Sequence, residues 1–156
     1  RYTRRDVCRL LCWAKNQEGT MYGYKLDADT QTCPIFVTHN KAPELDVDVR
    51  YPDQLITPSV MHWYSKHGRT LASSDVAPMA ANKVPMPLFV KKSDAEGSDF
   101  FYLGRVSADN PEATTLPNKD HVKKDVVSMD LTLESPIEQE LFDYLNAEAR
   151  TARPNA

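Results

Sequence analysis

Apolar and polar residues alternate along several short stretches of this chain, and such alternation predicts β-strands with one face turned towards a core. Two of the stretches flank a turn rich in aspartate, and two others flank the polar loop 93–99, so each pair predicts a hairpin. The predicted strands are residues 20–26, 33–38, 46–51, 88–92, 100–106 and 126–134.

Helical periodicity marks both ends of the chain. Thr3 followed by Asp6 has the form of an N-cap with an acidic residue in the first turn, and the apolar stripe behind it predicts a helix to about residue 13. Near the other end, residues 135–138 have the form of a capping box before an amphipathic stretch that reaches Leu145. A helix is therefore predicted at each terminus.

Two shorter helices are predicted between the strands. Thr57 before Pro58 reads as an N-cap with proline at the first helical position, which predicts a helix to about Tyr64. A second short helix is predicted near Ser74, and residues 107–115 are predicted to be a loop. Strands and helices do not alternate strictly, so we expect an α+β fold around a curved, mostly antiparallel β-sheet or barrel.

The composition is that of an ordinary globular protein. At 156 residues, with 41% hydrophobic and 26% charged residues, the chain can form one domain, which we place at 1–149 with a frayed tail at 150–156. No apolar run approaches the ~20 residues that a membrane helix needs. The chain opens on Arg1 without a signal peptide, and we expect it to be a piece of a longer cytoplasmic protein with reduced cysteines.

Charge is distributed unevenly along the chain. Residues 1–92 carry 13 Lys/Arg and 9 Asp/Glu, whereas the remainder carries 6 and 13. We therefore expect a polyanion to contact the first part, with the acidic remainder facing elsewhere.

No catalytic motif is present in the sequence. It contains no glycine-rich phosphate loop, no nucleophile elbow and no pair of histidines at metal-ligand spacing. His62 and His67 are expected at the surface, and Asp46 with Asp48 on the exposed face of a strand. We expect no catalytic residue, no metal and no cofactor.

Several segments occur together in an order that is typical of one family. The most specific is Lys91-Lys92-Ser93-Asp94, continued by Glu96-Gly97 and Asp99-Phe100. The others are Tyr2-Thr3-Arg4-Arg5-Asp6-Val7-Cys8-Arg9-Leu10-Leu11-Cys12-Trp13, Met21-Tyr22-Gly23-Tyr24-Lys25, Cys33-Pro34-Ile35-Phe36-Val37-Thr38, and Trp63-Tyr64-Ser65 with Arg69.

Over about residues 2–145 the chain resembles the C-terminal domain of bacterial helicase-nucleases, which are type IV restriction enzymes of the SauUSI kind. The resemblance implies a non-catalytic recognition domain for modified cytosine, with a fold similar to the SRA domain of the PUA type. Its implied partners are double-stranded DNA carrying modified cytosine, and the helicase and nuclease domains of the parent chain, with no membrane. Residues 66–68 depart from the basic stretch expected of the family.

Recognition of 5-methylcytosine by base flipping requires aromatic rings to stack on the extruded base. Extrusion costs a few kcal/mol, and each base–aromatic contact returns roughly 1–3 kcal/mol. Tyr24 with Trp63 is the predicted sandwich, and Tyr22, Phe36 and Tyr64 are the further candidates.

Polar groups must read the edge of the base and hold the backbone. Asp48, Asp53 or backbone carbonyls are candidates to accept from the exocyclic amine of cytosine, and Ser65 or backbone amides to donate to its ring carbonyl. The candidate phosphate contacts are Arg4, Arg5, Arg9, Lys66, Arg69, Lys91 and Lys92.

Two other functions are compatible with the sequence. A protein-interaction module could dock the ATPase or nuclease parts through the acidic C-terminal helix. A reader of another DNA modification could recognise 5-hydroxymethylcytosine or a phosphorothioate backbone. The acidic residues of that helix are Glu138, Glu140, Asp143 and Glu148.

Overall fold

The computed structural model describes residues 1–17, 23–38, 53–93, 97–118 and 120–147. Six strands and three short helices lie within these ranges. The strands are β1 (Ile35–Thr38), β2 (Gln54–Thr57), β3 (Val60–Tyr64), β4 (Pro87–Lys91), β5 (Phe101–Pro117) and β6 (Lys123–Leu133). The helices are α1 (Arg4–Leu10), α2 (Val76–Ala80) and α3 (Gln139–Asn146).

The six strands form one sheet in the order β1-β4-β5-β6-β3-β2. The β1–β4 pair is parallel, and the other four pairs among the described strands are antiparallel. The sheet curls into a half-barrel. The predicted α+β fold, with a curved, mostly antiparallel sheet and a helix near each end, is confirmed.

Two apolar clusters hold the sheet. The larger one contains Met61 and Trp63 of β3, which lie opposite Leu131 and Met129 of β6. The smaller one lies between α1 and the sheet and includes Phe36 of β1, Phe89 of β4 and Phe100, the residue before β5. Because β1 and β4 contact a cluster on each face, their residues are buried without alternation.

The helix predicted from Thr57 to Tyr64 is wrong. These residues form the turn between β2 and β3, and then β3 itself. The hydroxyl of Thr57 accepts a hydrogen bond from the amide of Ser59, which stabilises a turn rather than a helix start. Met61 and Trp63 then point into the core with the period of a strand.

The loop predicted at 107–115 is also wrong. β5 continues through these residues and pairs with β6 from Val106 opposite Leu133 to Pro117 opposite Lys123. Most side chains from 109 to 115 are exposed on both faces, so this part of the strand has no apolar alternation to detect. A β-bulge interrupts the ladder at Asn110, whose φ is 52°.

The remaining predictions are confirmed in part. Thr3 and Asp6 form the predicted capping box of α1, and α2 begins two residues after Ser74. α3 is present, but its N-cap residue Glu138 makes no side-chain capping bond, so the predicted capping box is wrong. The predicted strand 46–51, the tail 150–156 and residues 20–22 lie outside the described residues.

None of the three cysteines forms a disulfide; Cys8 and Cys33 are buried and Cys12 is exposed. Among the described helices, none combines the length and apolar character that crossing a membrane would require.

Candidate nucleic-acid interface

A cleft of about 290 Å³ lies at the C-terminal ends of β1 and β3, between those strands and the segment around Tyr24. This volume is just below the roughly 300–1,000 Å³ typical of small-molecule sites. Its lining combines four aromatic residues, two cations and one carboxylate. They are Tyr24, Phe36, Trp63 and Tyr64, Arg4 and Lys66, and Asp53.

Tyr24 and Trp63 form a buried wall of the cleft. Their ring centroids are 5.2 Å apart with the planes at 71°, and their exposed fractions are 1% and 2%. A base stacked between two rings would need parallel planes about 7 Å apart, at two van der Waals contacts of ~3.5 Å. The predicted Tyr24–Trp63 sandwich is therefore not formed: the two rings pack against each other, edge to face.

The other aromatic candidates differ in accessibility. Phe36 is buried, stacks on Phe89 at 5.2 Å and packs edge-on to Phe100 at 5.1 Å. Tyr64 is half-buried, and its ring lies edge-on to His62 at 5.0 Å. Tyr22 lies outside the described residues. Tyr64 is thus the most accessible ring of the described lining.

Asp53 is the carboxylate of the cleft. Its Oδ1 accepts a hydrogen bond of 3.0 Å from the backbone amide of Tyr64, which fixes the carboxylate beside the end of β3. Burial, with the negative charge of Asp53 second, raises the pKa of the Tyr64 hydroxyl. The alternative acceptor, Asp48, lies outside the described residues.

Ser65 belongs to the sheet rather than to the cleft. Its hydroxyl donates to the carbonyl of Lys66 at 3.1 Å and accepts from the amide of Val127 at 2.9 Å. The side chain is fully buried, and its one proton is already engaged. The predicted role of Ser65 as a donor to the base is therefore not supported by its position.

Lys66 lies in the cleft, although the sequence predicted a phosphate contact. Its Nζ donates to the carbonyl of Tyr24 at 2.9 Å and lies 4.6 Å from the centroid of the Tyr24 ring. Desolvation, with the positive charge of Arg69 second, lowers the pKa of Lys66. Lys66 is therefore a desolvated cation on the cleft wall.

Arg69 and Lys91 are engaged inside the domain. Arg69 Nε donates to both carboxylate oxygens of Asp75, at 3.2 and 2.9 Å. Lys91 is 6% exposed, and its Nζ donates to the carbonyl of Gly97 at 2.9 Å. Lys91 thus stabilises the loop between β4 and β5, and its burial contradicts the predicted phosphate contact.

The remaining predicted cations have more accessible positions. Arg5 and Arg9 are exposed on α1. Arg4 joins α1 to the cleft, with its guanidinium carbon 5.5 Å from the Phe36 ring centroid. Lys92 lies away from this group, 4.6 Å from the ring centroid of Tyr144 on α3.

A polar network supports Tyr64 on its own face of the sheet, the face opposite to Trp63, and sequence reasoning missed it. His62 Nδ1 lies 2.8 Å from Asp130 Oδ1, and His62 Nε2 lies 3.2 Å from the hydroxyl of Tyr64. Asn110, at the bulge of β5, donates to Asp130 Oδ2 at 3.2 Å. His62 and Tyr64 are two residues apart, so their side chains share a face only if residues 60–64 form a strand, which the sequence did not predict.

The network fixes the charge of Asp130. The hydrogen bond from His62, with that from Asn110 second, lowers the pKa of the Asp130 carboxyl below its ordinary value.

The described residues include no group of three or more His, Cys, Asp or Glu side chains that could hold a metal ion.

The sequence model of one family matches residues 1–145, which is nearly the whole chain. Its description is "Domain of unknown function (DUF3427)". The chain belongs to the DUF3427 family. No curated protein matches it.

Three solved structures are similar to this DUF3427 domain. A structure described as the sulfur binding domain and SRA domain of ScoMcrA with phosphorothioated DNA has a TM-score of 0.46 at 12% identity, over 94% of this chain and 43% of that chain. MspJI restriction endonuclease with a 27-mer oligonucleotide has a TM-score of 0.47 at 12% identity, over 83% and 36%. KRYPTONITE with mCHG DNA and SAH has a TM-score of 0.42 at 15% identity, over 74% and 25%. The chain thus spans less than half of each of these proteins.

The hydroxyl of Tyr24 gives a first prediction. It is buried near Arg69 and Asp75 but makes no hydrogen bond of ordinary geometry with the described residues. Tyr24→Phe should leave the free energy of unfolding of this DUF3427 domain unchanged or raise it, because it removes a desolvated polar group. Tyr24→Ala should lower that free energy by roughly 3–5 kcal/mol, since it removes a buried ring. Urea denaturation measures both, and a loss of more than about 1 kcal/mol in Tyr24→Phe would show that the hydroxyl is bonded.

The Asp130 network gives a second prediction. His62→Ala removes the main donor, so the pKa of Asp130 should rise towards its ordinary value, as measured by NMR titration of the side-chain carboxyl. Because the folded pKa is depressed, this bond stabilises the fold above the unfolded pKa, and the stabilisation is lost as pH falls through the folded pKa. His121→Ala, a change at an exposed histidine in the β5–β6 turn, is the control and should leave Asp130 unaffected. An unchanged Asp130 pKa in His62→Ala would contradict the assignment.

Proposed function

We propose that this domain recognises a modified cytosine in DNA and holds the extruded base in the cleft at the ends of β1 and β3. The observation that carries the proposal is the lining of that cleft, where aromatic rings, one carboxylate and one desolvated lysine surround a volume of about 290 Å³. Small pockets of this composition bind flat, partly polar molecules, and a nucleobase is one.

The aromatic lining supplies the stacking energy that extrusion requires. Tyr64 is half-buried at the cleft, and its hydroxyl is tied to His62. We assign the stacking surface to Tyr64, with Tyr24 and Trp63 as the apolar wall. One base–aromatic contact returns roughly 1–3 kcal/mol, comparable to the few kcal/mol that extrusion costs.

Asp53 and Lys66 match the edge of cytosine better than that of thymine. Cytosine presents an amine donor at N4 and acceptors at its ring nitrogen and carbonyl, whereas thymine presents an acceptor at O4. The carboxylate of Asp53 would accept from the amine, and the ammonium of Lys66 would donate to a ring acceptor. A thymine would instead place its O4 against the carboxylate.

The exposed face of α1 would hold the DNA backbone beside the cleft. Arg5 and Arg9 are exposed there, and Arg4 reaches the cleft itself. Contacts of this type to phosphates position a protein without reading sequence. We further propose that the domain directs a helicase-nuclease to methylated DNA.

The alternative of a docking module rests on α3. Its acidic side chains Glu140 and Asp143 are exposed, while Leu145 is buried and Asn146 donates to the carbonyl of Leu55. α3 is thus attached to the body of the domain through its apolar face. Binding measurements with DNA separate this alternative from the proposed function.

Four duplexes of one sequence test the proposed function. They are unmodified, or carry 5-methylcytosine, 5-hydroxymethylcytosine or a phosphorothioate linkage. We expect tightest binding to the 5-methylcytosine duplex in gel-shift titrations at fixed salt. Preference for another modified duplex would change the assigned ligand, and equal binding to all four would overturn base recognition.

Variants of the two polar residues test the reading of the base. Asp53→Asn and Lys66→Met should each reduce affinity for the methylated duplex by roughly 5- to 100-fold, equivalent to about 1–3 kcal/mol of lost base contact. Asp29→Asn and Lys83→Met alter exposed residues outside the cleft and are the matched controls. Thermal melting checks that each variant is folded, and folded cleft variants with unchanged preference would rule out these roles.

A further inference from the structure

A chain of side-chain hydrogen bonds across three strands ends at the hydroxyl of Tyr64. His62 of β3 lies 3.2 Å from this hydroxyl through Nε2, and 2.8 Å from Asp130 Oδ1 of β6 through Nδ1. Asn110 of β5 donates to Asp130 Oδ2 at 3.2 Å. We call Asn110, Asp130 and His62 the Asp130 network. Its last bond holds a ring that lines the cleft.

The sheet sets the positions of these three residues. The β3–β6 register places His62 directly opposite Asp130. Asn110 lies at the bulge of β5 with a φ of 52°, which asparagine adopts more readily than most residues, and bulges near functional sites often re-aim a side chain. The neighbouring carboxylate, Asp109, accepts from the hydroxyl of Thr132 at 2.8 Å. Asp130 is thus the carboxylate that orients His62, and bonds to both of its oxygens fix its own orientation.

The charge of Asp130 determines which nitrogen of His62 carries the proton. The lowered pKa of Asp130 keeps this carboxyl ionised at neutral pH. An ionised carboxylate only accepts hydrogen bonds, so His62 Nδ1 has to donate. In neutral His62, Nε2 then accepts from the Tyr64 hydroxyl, and in protonated His62 it donates to the hydroxyl oxygen. The bond to Tyr64 is therefore available in both states of His62.

The hydroxyl bond restricts the ring of Tyr64 in a way that backbone bonds do not. The amide of Tyr64 donates to Asp53, and its backbone lies opposite Ser128 on β6. These contacts fix the Cα atom but leave χ1 and χ2 of the side chain to be selected. The bond to His62 fixes the far end of the ring, which lies edge-on to the imidazole at 5.0 Å and 90°.

The Asp130 network is too exposed to matter mainly for stability. The side chains of His62 and Asp130 are 36% and 33% exposed, and pairs at such exposure contribute little to folding. Tyr64, in contrast, is half-buried and is the most accessible aromatic ring of the described lining. The main consequence of the network is thus the orientation of this one ring.

We propose that His62 is a positioning residue of the cleft, which Asp130 orients and which holds the ring of Tyr64 ready to stack on an extruded base. This inference rests on the proposed recognition of an extruded base. A side chain that is already ordered in the free protein does not lose conformational entropy when the ligand binds. The effect of His62 therefore appears in the affinity for a duplex whose base enters the cleft.

The order of the Tyr64 ring in the free domain tests the positioning. His62→Asn keeps an amide donor near the position of Nδ1 for Asp130, but its side chain is too short to reach Tyr64. His62→Gln places its amide near the position of Nε2, where it can bond the hydroxyl. The order parameter of the Tyr64 ring, from NMR relaxation, should fall in His62→Asn and remain close to the wild-type value in His62→Gln. Equal ring order in wild type and His62→Asn overturns the proposal.

Affinity for the 5-methylcytosine duplex tests the consequence for binding. His62→Asn and Tyr64→Phe should each bind it roughly 2- to 10-fold more weakly, as expected when one side chain has to be ordered on binding. The double variant should bind no more weakly than His62→Asn, because both changes remove the same bond. His62→Gln should recover most of the affinity that His62→Asn loses. Losses that multiply in the double variant, or equal losses in His62→Asn and His62→Gln, overturn the proposal.

Two controls accompany these titrations. His121→Asn makes the same change at an exposed histidine in the β5–β6 turn and should bind as the wild type does. Thermal melting checks that each variant is folded, and Tyr64→Phe, which removes a single oxygen, tests the bond from its other end.

Failure of this proposal is distinguishable from failure of the proposed function. If the wild-type domain prefers the methylated duplex and folded His62→Asn keeps its full affinity, the role of His62 fails and the proposed function stands. If the wild-type domain binds all duplexes equally, the proposed function fails, and the role of His62 in binding fails with it, whatever the order of the Tyr64 ring.

Discussion

β3 and β6 pair in antiparallel register from Val60 opposite Thr132 to Tyr64 opposite Ser128. This pairing sets Trp63 against Met129 in the larger apolar cluster and leaves Tyr64 on the other face, beside His62. A shift of one residue would exchange the two faces and bury Tyr64 in place of Trp63. The buried wall of the cleft and its accessible ring both depend on this one register.

The cleft also depends on how charged groups are distributed beneath it. Arg69 is paired with Asp75, and Lys66 is held against the carbonyl and ring of Tyr24. Burial, followed by the charge of Asp75, raises the pKa of Cys33 to about 12, so this thiol stays neutral beside them. Because Lys66 and Asp53 are partly buried, their charges act on a bound molecule more strongly than they would at an open surface.

The distribution of charge along the sequence differs from its distribution in the folded domain. Residues 1–92 carry the positive excess, and β1 to β4 belong to them. The sheet nevertheless places β5 and β6 between β4 and β3, so strands of the acidic part lie beside the cleft. The described residues that line the cleft nevertheless all come from residues 1–92.

The sequence by itself determined the elements whose pattern is local. Three such elements are the capping box of Thr3 and Asp6, the hairpin around 93–99 and the alternation of β6, which all depend on residues close in the chain. Together these local patterns imply a mostly antiparallel sheet. It also identified most of the described lining of the cleft, because aromatic and charged residues cluster in the family-like segments.

Only the tertiary structure decided what each of these residues does. Met61 and Trp63 could be recognised as strand residues only against β6, and the exposed half of β5 has no apolar period of its own. Likewise, the sequence shows that Lys91 and Lys66 are cations but not whether they are exposed. In the fold, Lys91 is bonded to Gly97 and Lys66 to Tyr24, because contacts between separate segments of the chain set the burial and the partners of each lysine.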